Sequence, residues 1–155
     1  MSTAAPVDFL RDEQLAESLA KDVLAAALES DVRVADVDAD AYPVVGAVSF
    51  SGPIRAALYV ELEYGPAYAL TEILQDVPRP QSVDAFVEDS VGELSNQLAG
   101  NLKALLPEDV EASLPSVVNG EFSVAQDKNA RSCRLCFDTA YGKVCVTLVQ
   151  DENPS

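Results

Sequence analysis

The stretch A-F-V-E-D-S-V-G-E-L-S-N-Q-L-A-G-N-L-K-A-L-L, residues 85–106, decides how the rest of this chain is read. Within it Val87, Val91, Leu94, Leu98, Leu102 and Leu105 step by four, three, four, four and three. At about 100° of rotation per residue, that spacing makes one buried stripe of an α-helix. On the same wheel Asp89, Glu93, Asn96 and Gly100 fall within roughly 60° of one another, nearly opposite the stripe. Gly92, Ser95 and Ala99, all small, sit beside that row. The spacing predicts one continuous helix over 85–106, with Val91, Leu94, Leu98 and Leu102 buried. Its other side presents two carboxylates and a carboxamide on a nearly bare surface.

Acidic and amide residues opposite an apolar stripe also describe an ordinary solvated helix face. Two features count against that reading. Glycine costs about 1 kcal/mol relative to alanine in a helix interior, and it occurs here at both 92 and 100. Asparagine is a mediocre helix former because its amide competes for backbone hydrogen bonds. A face that tolerates these costs is one kept flat for a partner.

The run D-x-x-x-E-x-x-N from Asp89 through Glu93 to Asn96 resembles the signature of the CheC/CheX/FliY family of chemotaxis phosphatases. The following A-G-N-L-K-A-L-L (99–106) and S-L-P-S-V-V-N-G (113–120) resemble the flanks typical of CheX, and V-V-G-A-V-S-F-S-G-P-I-R-A-A-L-Y-V-E-L (44–62) is similar to its paired strands. The similarity runs from about Leu15 to Val149. A single E-x-x-N favours CheX, since CheC and FliY carry two copies. One departure concerns the proline that the CheC-type pattern places about two dozen residues after the asparagine; here Pro115 follows after 18.

The resemblance implies an α+β domain in which an antiparallel sheet carries helices on one face, with one long central helix bearing the motif. It implies a phosphatase that hydrolyses the aspartyl phosphate of a phosphorylated CheY-like receiver, in chemotaxis or another two-component pathway. Glu93 and Asn96 would be the catalytic positions, with Asn96 orienting the attacking water. Asp89, Glu93 and Gly100 would meet the partner. The Mg ion would sit on the receiver, with no metal or cofactor bound by this chain, and two copies would join sheets as a homodimer. A module that only binds and sequesters receivers is the alternative, and a switch-assembly domain with a coincidental motif is a third. Asn101 and Lys103, near the edge of the row, are read as structural or solvating.

The remaining sequence fits a single domain over 1–155. Hydrophobic residues make up 48% of the 155, enough for a substantial core. The net charge of -16, from 26 acidic and 10 basic side chains, repels nucleic acid and anionic membrane surfaces. The start lacks a basic, apolar leader and no apolar run approaches a membrane span, so the chain is read as cytoplasmic. Three cysteines make no disulfide framework. Cys133 and Cys136 form a C-x-x-C, but on a strand, where positions three apart point to opposite faces. A zinc site would need carboxylates, because there is no histidine and only Cys145 remains. The absence of histidine also excludes Ser-His and Cys-His catalysis.

In chain order, Val7 to about Ser30 reads as a helix with Leu15, Leu19, Val23, Leu24 and Leu28 inward and Asp8 or Asp12 as its cap. Asp31 to Asp40 alternates as a half-exposed strand that Pro43 breaks. Val44–Phe50 and Ile54–Glu63 form a hairpin around Ser51-Gly52-Pro53, and Gly65-Pro66 ends the second strand. Ala67–Leu74 is a short helix, and Asp76–Gln81 a linker. Pro107 stops the central helix. Asn119-Gly120 signals a tight turn, and Cys133–Phe137 with Lys143–Val149 a closing hairpin around Tyr141-Gly142.

Overall fold

The computed structural model describes residues 13–38, 40–122 and 130–151. The chain runs α1 (Glu13–Leu28), β1 (Val32–Ala35), β2 (Tyr42–Ser51), β3 (Ala56–Leu62), α2 (Tyr64–Gln75), α3 (Ala85–Leu102), β4 (Glu111–Ala112), β5 (Ser116–Phe122), β6 (Ala130–Thr139) and β7 (Gly142–Asp151). The candidate caps Asp8 and Asp12 lie outside the described residues.

All strand pairings are antiparallel. The order is β1-β6-β7-β3-β2, and the far edge of β2 is shared between β5 along Tyr42–Ala47 and the short β4 at Phe50–Ser51. Three helices cover one face of this seven-stranded sheet, an α+β arrangement. Strand alternation sends Leu58, Val60 and Leu62 of β3 and Val144, Val146 and Leu148 of β7 into the same core as the helices.

The central stripe folds as its spacing dictates. Val87, Val91, Leu94, Leu98 and Leu102 are all 1% exposed or less, and the helix passes Gly92 without a break. Asp84 caps it by accepting a hydrogen bond from the Val87 amide at 2.9 Å. The helix ends sooner than expected, at Leu102, and tightens into a 3₁₀ turn over Lys103–Leu105 before Pro107. It lies close to β2 because β2 has no side chain at Gly46. A methyl group there would sit 2.1 Å from Ser95 Oγ. The Ser95 hydroxyl itself is satisfied, donating to the Val91 carbonyl at 2.7 Å.

Several local expectations are corrected. In α1 the buried row is Ala16, Ala20, Leu24 and Leu28, whereas Leu15 is 49% exposed. Alanines let α1 pack close, a signal that large apolar residues conceal. Gly65-Pro66 does not separate strand from helix but lies in the first turn of α2, where a missing N–H leaves no bond unmade. Pro43 does not break a strand either. Tyr42 of β2 opposes Phe122 while Val44 opposes Asn119, so two β5 residues face the single Pro43. Asn119-Gly120 is therefore not a turn: Asn119 is still paired, and a β-bulge follows it at residues 120–121, with Gly120 at φ +135°. Pro43, which has no N–H to donate, occupies the point where the ladder is interrupted.

Candidate functional site

Asp89, Glu93, Asn96 and Gly100 are all exposed on α3, on the side away from its buried stripe. Spacings of three and four place consecutive members about 5–6 Å apart at Cβ. The Asn96 carboxamide has no hydrogen-bond partner among the described residues, and neither does the Asp89 carboxylate. Glu93 is lightly held, its Oε1 accepting from Gln97 Nε2 at 3.4 Å. Asn101 donates from Nδ2 to the Gln97 carbonyl at 2.8 Å, which makes it part of the helix end, as the sequence implies. Lys103 is half-buried and begins the 3₁₀ turn.

The two glycines have different surroundings. Gly92 is buried beside β5, where a methyl group would lie 3.6 Å from Pro115 Cγ and 3.9 Å from Val117 Cγ2, an ordinary contact. Ser95 and Ala99 are buried as well, so the bare strip expected beside the row is in fact its seam with the sheet. Gly100 has nothing within 4 Å of where a methyl group would stand. No packing within the domain requires glycine there. Pro115 thus packs on α3 at Gly92, one helical turn before Asn96. The adjacent Leu114 is 87% exposed, an apolar flank that the sequence reading did not single out.

The row has the chemistry of a docking and positioning surface. An uncommitted carboxamide can accept from one group and donate to another, and the two carboxylates suit a cationic rim. Among the described residues, the metal-capable grouping of side chains lies elsewhere, at Asp38, Cys136 and Cys145.

A family model described as chemotaxis phosphatase CheX matches residues 44–138, more than half of the chain and including the whole row. The chain belongs to the CheX family. Solved structures share the fold. CheX from Vibrio vulnificus is similar at 20% identity, with 88% of this chain and 93% of that chain covered and a TM-score of 0.75. The CheX–CheY–BeF3–Mg complex from Borrelia burgdorferi matches at 17% identity over 94% and 99%, with a TM-score of 0.74. FliY from Thermotoga maritima matches at 16% identity over 86% and 83%, with a TM-score of 0.57. No curated protein matches the sequence significantly. The motif helix of this chain is held from behind by the sheet and leaves the row exposed in front. No helix among the described residues is long and apolar enough to cross a membrane.

Proposed function

We propose that this CheX-family domain is a phosphatase for the aspartyl phosphate of a CheY-like receiver. The observation that carries the reading is the Asn96 carboxamide, exposed on a well-packed helix with no partner among the described residues, in a row with Asp89, Glu93 and Gly100. An acyl phosphate is already reactive. Hydrolysis requires a water in line with the scissile O–P bond, and stabilisation of the charge spreading over the phosphoryl oxygens. The water oxygen bonds to phosphorus, the O–P bond to the aspartyl carboxylate breaks, and inorganic phosphate leaves. Stabilisation falls to the receiver's own Mg ion and cationic side chains. Asn96 inserts into the receiver and orients the water. It suits this role because a neutral amide does not repel the phosphoryl group. Glu93 docks against a receiver cation, Asp89 extends that contact, and Gly100 lets the receiver backbone approach. The complex that joins CheX, CheY, BeF3 and Mg in one relative supports this pairing of partners.

In a single-turnover assay on a phosphorylated receiver, Asn96→Ala is expected to slow hydrolysis by about 10²-fold with binding nearly intact. Glu93→Ala is expected to weaken binding as well. Neither substitution should shift the melting temperature, since both side chains are exposed. Tight binding by the wild-type chain with an unchanged phosphate lifetime would make it a sequestering module instead. The backbone edges of β1 and β5 support pairing of two copies through their sheets. Light scattering is expected to give more than the 16.5 kDa of one chain.

A further inference from the structure

The face of the sheet away from the helices carries a second constellation. Cys136 of β6 and Cys145 of β7 are direct cross-strand partners, both buried, with their sulfurs 2.7 Å apart. They belong with Tyr42 to a small cluster separate from the main core, and Ala35 packs against it. The segment between β1 and β2 brings Asp38 to the same place. One carboxylate oxygen of Asp38 and the two sulfurs all lie within 4.8 Å of one another. We propose that Cys136, Cys145 and Asp38 form a binding site for a thiophilic divalent cation of the zinc class, with the fourth position open to solvent on the Asp38 side.

Two thiolates with one carboxylate is a donor set that zinc accepts in tetrahedral geometry. Bonds of about 2.3 Å to each sulfur put the sulfurs about 3.8 Å apart, so the pair must open by about 1 Å. That displacement is within reach of small rotations about the two Cα–Cβ bonds. The carboxylate is held ready by its surroundings. Tyr42 donates its hydroxyl to Asp38 Oδ2 at 3.0 Å, and the Asp40 amide donates to Oδ1 at 3.1 Å. A carboxylate has roughly four lone-pair directions, which leaves two for an ion. Arg134 fixes the segment itself, donating to the Asp38 carbonyl at 2.8 Å and the Asp40 carbonyl at 3.1 Å. Such outer hydrogen bonds orient the ligands of protein metal sites.

Charge favours occupation once the thiols have lost their protons. Arg134 pairs with Glu61 and also lies 3.6 Å from Asp38 Oδ1, and Lys143 lies 3.8 Å from Asp38 Oδ2, so taking Glu61 as the charge that offsets Arg134 leaves Lys143 to be counted. Two thiolates and Asp38 against Lys143 leave two negative charges, which a divalent ion neutralises. A divalent cation that binds a thiol sulfur displaces its proton to solvent, so uptake of the ion would release protons. Cys133 faces the helices in the main core and takes no part. The bound ion would pin the β1–β2 segment onto the sheet, independently of the phosphatase reading of α3.

The test uses the full chain, reduced and stripped by a chelator, then titrated with Co²⁺ and Zn²⁺. Expected are a saturating thiolate-to-cobalt absorption at one ion per chain, displacement by zinc, and a melting temperature raised by about 5 °C in excess zinc. Cys133→Ala should keep this behaviour. Cys145→Ala should abolish the absorption, and Asp38→Asn should weaken binding by about tenfold. Should Cys145→Ala fail to fold, the wild-type spectrum still decides. Absence of the thiolate band, or its persistence in Cys145→Ala, overturns the site. So does recovery of a Cys136–Cys145 disulfide from a protein that takes up no metal when reduced.

Discussion

The row on α3 and the network around Arg134 both carry carboxylates, yet they differ in what those carboxylates bond. Arg134 reaches Glu61, Thr147 at 3.1 Å and the backbone of Asp38 and Asp40, and Thr147 donates to Glu61 at 2.9 Å. The guanidinium bonds only inside the domain, and so do Thr147 and one oxygen of Glu61. On α3, Asp89 and Asn96 have no partner among the described residues, and Glu93 has one long bond. Polar groups that satisfy each other hold a fold together. Groups left unsatisfied at the surface, on a helix too well packed to move, are available to another molecule. Glu61 and Glu93 are the same residue type, and their hydrogen bonding separates them.

The comparison breaks first, if it breaks, at Arg134. Arg134→Ala strands the Glu61 carboxylate, only 2% exposed, and should lower stability by about 3 kcal/mol in urea unfolding. A loss below about 1 kcal/mol would mean that the network is dispensable. The defect should also shrink in acid. Burial raises the Glu61 pKa above its ordinary value even against the pull of Arg134. The protonated form therefore favours folding at low pH, and that contribution is lost as pH rises through the raised value. Asp38 works the other way. Burial alone would raise its pKa, but the bonds from Tyr42 and Asp40, with Arg134 and Lys143, outweigh burial and lower it. Its contribution is present above the ordinary carboxylate range and disappears as pH falls through its lowered value, so Asp38→Asn should flatten the acid limb of the stability curve.

A smaller effect is expected behind the row. Gly46→Ala drives a methyl group against Ser95 and should cost about 2 kcal/mol. Adding Ser95→Ala should restore most of that loss, as read from thermal melts. The smallest effect is the sharpest test of the open face. Gly100→Ala should stabilise the free domain by about 0.5–1 kcal/mol, while weakening receiver binding in a titration. If it leaves binding unchanged, the bare surface at Gly100 has no bearing on the partner.

How much of this was legible depended on whether the determining contact is local. The α3 stripe repeats over five turns, and its period alone fixes which side is buried. Asn119-Gly120 has the composition of a tight turn. Only the register between β2 and β5, which no local pattern encodes, puts a bulge after Asn119, opposite Pro43, in its place. The C-x-x-C of Cys133 and Cys136 does split across the two faces of β6, as alternation requires. Cys145 as the true neighbour of Cys136 needed the β6–β7 pairing. At the site, the motif marked which residues are polar and exposed. That Gly92 is a seam with β5 and Gly100 is open could be seen only once Pro115 was placed.

The position of β7 carries a consequence for how this domain comes into being. It is the last strand in sequence, yet it lies between β6 and β3 in the middle of the sheet. Residues 56–62 must wait for residues 144–150 before their second edge is closed. An emerging chain can complete the β2–β3 hairpin and the motif helix early, but the hydrophobic face they share has no finished floor until residues 144–150 have been made. Contacts so distant in sequence slow folding and make it all-or-none. A chain interrupted before residue 144 would present the motif on an unfinished, aggregation-prone body, so a stable α3 surface depends by topology on a strand about fifty residues further along the chain.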